Sequence, residues 1–192
     1  MPRFRIFAAA IGVACAASAA SGQAALQGEN LLFSPPFNFK VGFQSDHDGR
    51  SMTEWVPRSE TVEDWSQMLT VQIFRGANVE APAFLQKLAS GYMGACPGTT
   101  AKGIFTGKVN GYVVSMLVLK CPKNPETGKP ETTAFRLIKG NDALYGVQRA
   151  WRSVASDEEI SSVMHDLARV TVCDTRSAEH PCPDLKPVVP AK

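Results

Sequence analysis

The turn Asn110-Gly111 constrains the fold of this chain more than any other feature. It separates two runs rich in β-forming residues, 100–109 and 112–120. Asn followed by Gly readily adopts the positive φ angles of a two-residue hairpin, so the two runs are predicted to pair as antiparallel strands. The second run contains YVVSMLVL, which is apolar at successive positions. This pattern predicts a strand that is covered on both faces of a sheet.

Five further strands follow from alternating or β-rich runs bounded by turn residues. They are predicted at 39–45, 51–56, 69–75, 132–139 and 143–152. Asp48-Gly49 favours a tight turn between the first two, and Gly140-Asn141-Asp142 favours one between the last two. The chain is therefore predicted to be built mainly from hairpins.

Three helices are predicted beside these strands. A short one begins at Thr61, with Asp64 at capping-box spacing. A second covers 82–94, with a proline in its first turn and apolar residues at helical spacing. The last begins with the capping box of Ser156 and Glu159, and its apolar residues recur at i, i+3, i+4, i+7 and i+8. Together the elements predict a single α+β domain with a mostly antiparallel sheet.

The start of the chain has the pattern of a secretory signal peptide. Arg3 and Arg5 precede the uncharged apolar run 6–14, and small residues follow. The apolar run is much shorter than the roughly 20 residues that a membrane-spanning helix needs. We expect cleavage between Ala17 and Ala25, which leaves no transmembrane span and a periplasmic or secreted protein.

The chain is accordingly divided into a signal peptide at 1–25, an α+β domain at 26–176 and a proline-rich tail at 177–192. Cys15 leaves a second interpretation of the start open. It follows a small residue, as in a lipoprotein signal, and the mature protein would then be anchored through a lipid on Cys15.

The four remaining cysteines predict disulfides, because an even number in an exported chain is typical of a disulfide framework. They are Cys96, Cys121, Cys173 and Cys182. Of the three possible pairings, Cys96–Cys121 and Cys173–Cys182 are favoured, since each pair flanks a compact unit. A thioredoxin-type C-x-x-C motif is absent, and the scattered spacing is unlike that of zinc ligands.

The charge and the motifs argue against several classes of function. Without the two signal arginines, 18 basic side chains stand against 18 acidic ones, which is unlike the basic excess of nucleic-acid binders. No catalytic residue, metal site or cofactor is predicted, since the common hydrolase, metalloprotease and nucleotide motifs are absent. The cluster 46–48 (Asp-His-Asp) is interpreted as a solvated turn, and Asp157, Ser161 and His165 as the polar face of the last helix.

Arg149, Trp151 and Arg152 are the candidate contacts for a ligand or partner. Arg149 and Trp151 share a face of their predicted strand, and an arginine beside an aromatic ring can hold an anionic or planar group. The alternative interpretation is ordinary packing of a cation over a ring. An exposed apolar patch around Phe33, Phe37 and the tail would favour protein binding. His180, in the tail, is expected to be exposed to solvent.

The order of elements resembles that of Mog1/PsbP-like proteins, which include small exported bacterial proteins. The resemblance is carried by FKVGFQSDHDGRSMTEWVP at 39–57 and by ALYGVQRAWRSVASDEEISSVMHDLARV at 143–170, and it extends over 33–172. It implies a non-catalytic binding or assembly accessory of the cell envelope, with an envelope protein as the partner. A small-molecule or lipid carrier remains the alternative, followed by a hydrolase of envelope polymers.

Overall fold

The computed structural model describes residues 26–184. The predicted signal peptide, including Cys15, and residues 185–192 of the predicted tail lie outside the described residues. The strands are β1 (Glu29–Leu32), β2 (Phe39–His47), β3 (Arg50–Pro57), β4 (Gln67–Arg75), β5 (Thr100–Val109), β6 (Tyr112–Cys121), β7 (Glu131–Lys139), β8 (Ala143–Trp151) and β9 (Thr171–Asp174). The helices are α1 (Ala81–Ala95) and α2 (Asp157–Ala168).

Seven strands form one sheet in the order β2-β3-β4-β8-β7-β6-β5. Every neighbouring pair in it is antiparallel. The prediction of an α+β domain with a mostly antiparallel sheet is therefore confirmed. Strands β2 and β5 are the two edges of this sheet.

The predicted hairpin turns are present. At the β5–β6 turn, Val109 pairs with Tyr112, while Asn110 and Gly111 take φ angles of 45° and 81°. These positive angles match the right-handed twist of the flanking strands. Strand β6 is buried on both faces along nearly its whole length, as its uninterrupted apolar sequence predicts.

The two helices cover opposite faces of the sheet. Helix α1 packs on β5, β6 and β7, and we call this side the α1 face. Helix α2 packs on β7 and β8 on the other side, the α2 face, where it shares a larger apolar cluster with β1 and β9 residues. The apolar layer between α1 and the sheet consists of Ala81, Leu85, Ala89, Leu117, Leu119, Phe135, Leu137 and Leu144. No helix among residues 26–184 is long and apolar enough to cross a membrane.

The start of α2 is stabilised by the capping box expected from the sequence. Ser156 Oγ accepts from the amide of Glu159 at 3.1 Å, and Glu159 Oε2 accepts from the amide of Ser156 at 2.8 Å. Two amide groups that an uncapped helix would leave unpaired are thereby satisfied.

The predicted helix beginning at Thr61 is wrong, because 61–66 forms an irregular loop. The bond from the amide of Asp64 to Thr61 Oγ1 does form, at 3.3 Å. However, the Glu60 carboxylate accepts from both the amide and the hydroxyl of Ser66, at 2.6 and 2.7 Å, and ties the ends of the loop together. So short a segment gains too few helical bonds to compete with such contacts.

A second, two-stranded sheet of β1 and β9 has no counterpart in the predicted elements. Glu29 of β1 pairs with Asp174 of β9, and the Glu29 carboxylate also accepts from the amides of Asn141 and Asp142 at 2.6 and 3.0 Å. It accepts a further bond from the Tyr145 hydroxyl at 2.9 Å. The start of the domain is thus fastened to the β7–β8 turn.

Two disulfides link the four cysteines in the pairs that the sequence favoured. Cys96, directly after α1, is bonded to Cys121 at the end of β6. Cys173 of β9 is bonded to Cys182. The first bond holds the end of α1 against the sheet, and the second holds the described part of the tail against β9.

The expectation that His180 is exposed to solvent is wrong. Its ring stacks on that of Tyr112, with centroids 3.9 Å apart, and its Nδ1 is 2.8 Å from the Asn110 carbonyl oxygen. The amide of Asp174 donates to the His180 carbonyl at 2.7 Å. The Cys182 bond keeps this part of the chain close enough for these contacts to form.

Candidate functional site

The three candidate contact residues do not form one site. Arg149 lies on the α2 face, where its guanidinium carbon is 4.3 Å from the centroid of Phe39. Its Nη2 donates to Gln67 Oε1 at 2.5 Å. Burial lowers the pKa of Arg149, and the attraction of Asp166 partly opposes that shift.

Trp151 and Arg152 are directed into different surroundings. Trp151 is only 3% exposed and belongs to the apolar cluster on the α2 face. Arg152 lies over Trp65, 4.4 Å from a ring centroid, and donates to the Glu63 carbonyl at 2.9 Å. Arg149 and Arg152 each pack as a cation over an aromatic ring. This is the alternative interpretation that the sequence left open.

The polar clusters noted in the sequence also take part in surface contacts. Asp46 accepts two bonds from Arg75, at 3.2 and 3.0 Å. Asp157 forms ion pairs with Lys102 at 3.5 Å and with Lys120 at 3.8 Å. Within residues 26–184, no group of three or more His, Cys, Asp or Glu side chains is placed to hold a metal ion.

A buried carboxylate lies at the end of α1. Glu131 accepts bonds from the hydroxyls of Tyr92 and Thr133 through Oε1, and from the Asn124 amide through Oε2 at 2.8 Å. Burial and the bond to Glu131 raise the pKa of Tyr92, so its phenol stays protonated and donates. Tyr92, Asn124 and Glu131 line a cleft of about 320 Å³ beside the Cys96–Cys121 disulfide. Because both carboxylate oxygens are already bonded, Glu131 anchors α1 to β7.

A second cleft, of about 480 Å³, lies where the β2–β3 turn meets the start of α1. Its apolar part is formed by Phe74 and Phe84, whose ring centroids are 5.4 Å apart. Its polar part comes from the turn residues 48–50 and from Arg75.

The exposed large hydrophobic side chains of the described residues are concentrated on edge strand β2 and just before it. Three of the six large hydrophobic side chains that are exposed lie between positions 37 and 43: Phe37 at 92%, Val41 at 53% and Phe43 at 41%. Phe33, also predicted to contribute, instead packs edge-on against Trp55, with centroids 5.4 Å apart. Exposed apolar side chains that lie close along an edge strand make that strand a candidate interaction surface.

Helix α1 does not extend over strands β2 and β3 on the α1 face. Helix α1 lies over β5 to β7 and reaches β4 through the contact of Phe84 with Phe74. On this face Phe43 stands opposite Glu54, and Met52 stands beside Gln72. The pKa of Glu54 is raised by its partial burial among these residues.

Sequence reasoning did not single out Val41 and Phe43, because their alternation is also that of a strand with one buried face. No local signal in the sequence could have found them, because residues two positions apart share a face of a regular strand. The register shifts between Val41 and Phe43, so that Val41 pairs with Trp55 on the α2 face and Phe43 with Glu54 on the α1 face. A β-bulge of this kind redirects side chains.

The chain matches no protein family by sequence, and no curated protein is significantly similar to it. The solved structures that match this chain include a yeast protein and a mycobacterial protein. The Ran-binding protein Mog1p of Saccharomyces cerevisiae is 11% identical, with a TM-score of 0.43 over 73% of this chain and 85% of that chain. LpqN of Mycobacterium tuberculosis, involved in cell envelope biogenesis, is 14% identical, with a TM-score of 0.39 over 78% of this chain and 86% of that chain. Mog1p belongs to the family that the order of elements resembles, but TM-scores below 0.5 transfer no fold assignment, partner or functional residue to this chain.

Proposed function

We propose that this chain is an exported, non-catalytic protein of the cell envelope that binds an extended segment of a partner protein along strand β2. The observation that carries the proposal is the concentration of exposed apolar side chains on and beside this edge strand. An extended segment fits because an edge strand presents a row of unpaired backbone donors and acceptors.

The side chains of β2 suit this mode of binding. The strand runs for nine residues, and Val41 and Phe43 point to opposite faces of the sheet. A segment added outside β2 would place its alternate side chains on the same two faces, against Val41 on one side and Phe43 on the other. Main-chain bonds would supply affinity, and these two residues would supply specificity.

The opposite edge of the sheet has more of the features that discourage such pairing. Strand β5 carries Lys102 and Lys108, its register is broken between Lys102 and Phe105, and Gly103 takes a φ of 63°. Lysines, bulges and glycine kinks are the devices by which edge strands avoid association. Strand β2 also has a register shift, between Val41 and Phe43, but it has a single lysine, Lys40. Strand β5 therefore has more of these features, and the difference favours β2 as the binding edge.

The location that we propose is the periplasm or the outside medium, with a lipid anchor on Cys15 as the alternative. The two disulfides are compatible with an extracytoplasmic location, because such bonds persist in oxidising compartments. The intact mass of the mature protein from its own cells tests this directly. A mass beginning between Ala17 and Ala25 supports export, an added lipid mass supports the anchor, and a retained start contradicts both.

The binding edge is tested by photo-crosslinking in intact cells. A photoreactive phenylalanine replaces Phe43 in one variant and Phe105, an exposed phenylalanine on the opposite edge, in the control. We expect a discrete adduct with one partner protein from position 43, none from position 105, and loss of the adduct when Val41 is changed to Lys. The Val41→Lys change places a charge on the strand surface without removing a buried side chain.

Three results would contradict the proposal. Equal adducts from both positions would mean that the contact is not specific to β2. An adduct of twice the mass of the chain would identify a second copy as the occupant. The absence of any adduct from position 43, in cells where the protein is abundant, would leave β2 without a partner.

A further inference from the structure

The cleft where the β2–β3 turn meets the start of α1 has the size and the access that a small molecule needs. Its volume of about 480 Å³ falls within the range of about 300–1,000 Å³ that is usual for ligand sites. Asp48 and Arg50 in its lining are exposed to solvent, so the cleft can be entered from outside. Gly49, Gly76 and Ala77 also line it, and none of them has a side chain long enough to fill the space.

One wall of this cleft is aromatic. The rings of Phe74 on β4 and Phe84 on α1 have centroids 5.4 Å apart and are inclined at 47°. Both residues are half-buried, so part of each remains accessible. Phe74 also pairs with Arg50 across β3 and β4, and paired residues of antiparallel strands share a face of the sheet. An aromatic surface and a guanidinium are therefore presented on the same side.

Asp48 and Arg50 supply two opposite charges to the cleft. Within residues 26–184, neither side chain forms an ion pair with another residue. The third charged group of the lining, Arg75, differs, because Asp46 accepts two bonds from it at 3.2 and 3.0 Å. One carboxylate and one guanidinium thus remain available to a ligand.

The walls of the cleft are fixed by contacts that do not use these two charges. The amide of Arg75 donates to the Gly49 carbonyl at 2.8 Å, and the amide of Gly76 donates to the Asp142 carbonyl at 2.8 Å. The first bond holds the β2–β3 turn against the end of β4, and the second holds the end of β4 against the β7–β8 turn. The lining is therefore positioned before a ligand arrives, which lowers the conformational cost of binding.

We infer that this cleft binds a small zwitterion that carries an aromatic ring, the chemistry of a free aromatic amino acid. The carboxylate pairs with the Arg50 guanidinium, whose planar fork matches it. The ammonium pairs with the Asp48 carboxylate, and the ring packs against Phe74 and Phe84. A simple anion would be repelled by Asp48, and a simple cation by Arg50. The site is separate from the exposed apolar side chains of β2, so it does not depend on the proposed protein partner.

The inference is tested by titrating four probes into the isotope-labelled mature protein and following its amide signals by NMR. L-Phenylalanine carries both charges and the ring. Hydrocinnamate lacks the ammonium group, phenethylamine lacks the carboxylate, and L-alanine lacks the ring. We expect phenylalanine to shift the amide signals of Gly49 and Gly76, and to bind about tenfold more tightly than each of the other three.

Two variants remove one charge each and keep a polar side chain in its place. Arg50→Gln should weaken the binding of phenylalanine about tenfold without weakening that of phenethylamine. Asp48→Asn should weaken the binding of phenylalanine without weakening that of hydrocinnamate, and asparagine also tolerates the φ angle of 51° at this position. Arg169→Gln, at an exposed arginine directly after α2, is the matched control and should change no affinity.

Several results would overturn the inference. Equal binding of alanine would show that the rings take no part, and equal binding of hydrocinnamate or phenethylamine would show that only one charge is recognised. Amide shifts confined to residues away from the cleft, unchanged affinity of Arg50→Gln, or no shift with any probe would overturn it as well. The amide spectrum without probe shows whether each variant is folded. Because the two variants remove different charges, either one still tests the site if the other does not fold.

Discussion

Removal of the Cys96–Cys121 disulfide should destabilise the domain more than removal of the Cys173–Cys182 disulfide. The structure supplies the two quantities that matter, the sequence separations of 25 and 9 residues. In the chain-entropy model a crosslink stabilises by limiting the unfolded chain, and the effect grows with the length of the closed loop. These separations correspond to about 3.5 and about 2.6 kcal/mol of unfolding free energy.

The substitutions are Cys→Ala at both positions of each pair, because alanine adds no buried polar group. For a domain of this size, each kcal/mol lowers the unfolding midpoint by about 2–4 °C. We therefore expect losses of about 7–14 °C for the first pair and about 5–10 °C for the second. Urea unfolding at fixed temperature gives the free energies, and a change of slope would reveal a change in the unfolded state.

A reversed order would refute the reasoning. If the Cys173–Cys182 variant is the less stable one, the packing of the tail on the β5–β6 hairpin contributes more to stability than the entropy of the closed loops. That packing is the stacking of His180 on Tyr112 and the bond to the Asn110 carbonyl. In either case, chemical reduction of the unmodified protein should give the same loss of stability as the removal of both cysteine pairs.

Three further results are expected. Asp174 accepts bonds from the side chain and the amide of Arg176, and these bonds lower the pKa of Asp174 to about 2. The stability that the charged carboxylate adds is therefore fully present at pH values above the ordinary aspartate pKa near 3.8. Asp174→Asn should be the less stable form at pH 6, with a difference that shrinks between about pH 4 and 2 in acid unfolding. In Gly140→Ala, the new Cβ would overlap the Glu29 carboxylate; hydrogen exchange in β1 should quicken while the centre of the sheet stays protected. Ser156→Ala removes the cap of α2 and should cost about 1 kcal/mol in chemical unfolding, whereas an unchanged midpoint would show that the cap adds nothing.

Most of the fold could be predicted because its signals are local. Asn110-Gly111 and Asp48-Gly49 take positive φ angles that few other residues adopt easily, so the hairpins follow from neighbouring residues alone. The cap of α2 follows in the same way from the three-residue spacing of Ser156 and Glu159.

The errors arise where distant contacts outweigh local preference. Thr61 and Asp64 have the spacing of a helix start, yet the contacts of Glu60 with Ser66 hold that segment as a loop. His180 stands in a proline-rich tail, and it is half-buried because Cys182 draws the tail onto the Asn110 turn. Neither contact has a local signature in the sequence.

The candidate site was only partly within reach of the sequence. Arg149 and Trp151 were identified by their shared face, but which ring an arginine covers depends on strands far along the chain, here β2 for Arg149. Arg136 of β7 is buried without an ion pair to a described carboxylate, and the sequence could not show this, since any of its carboxylates could have been the partner. Burial and pairing are properties of the assembled sheet.

The sequence by itself determined the hairpins, both long helices and the α+β class, because turn chemistry, capping and periodicity act over a few residues. Only the tertiary structure decided which strands form the two edges of the sheet, which strands α1 leaves uncovered, and which buried arginine has no carboxylate beside it. These features depend on strand order and on contacts between residues such as Glu29 and Tyr145, which lie far apart in the chain. Such contacts form only when loop closure brings distant segments together, and no local pattern records that step.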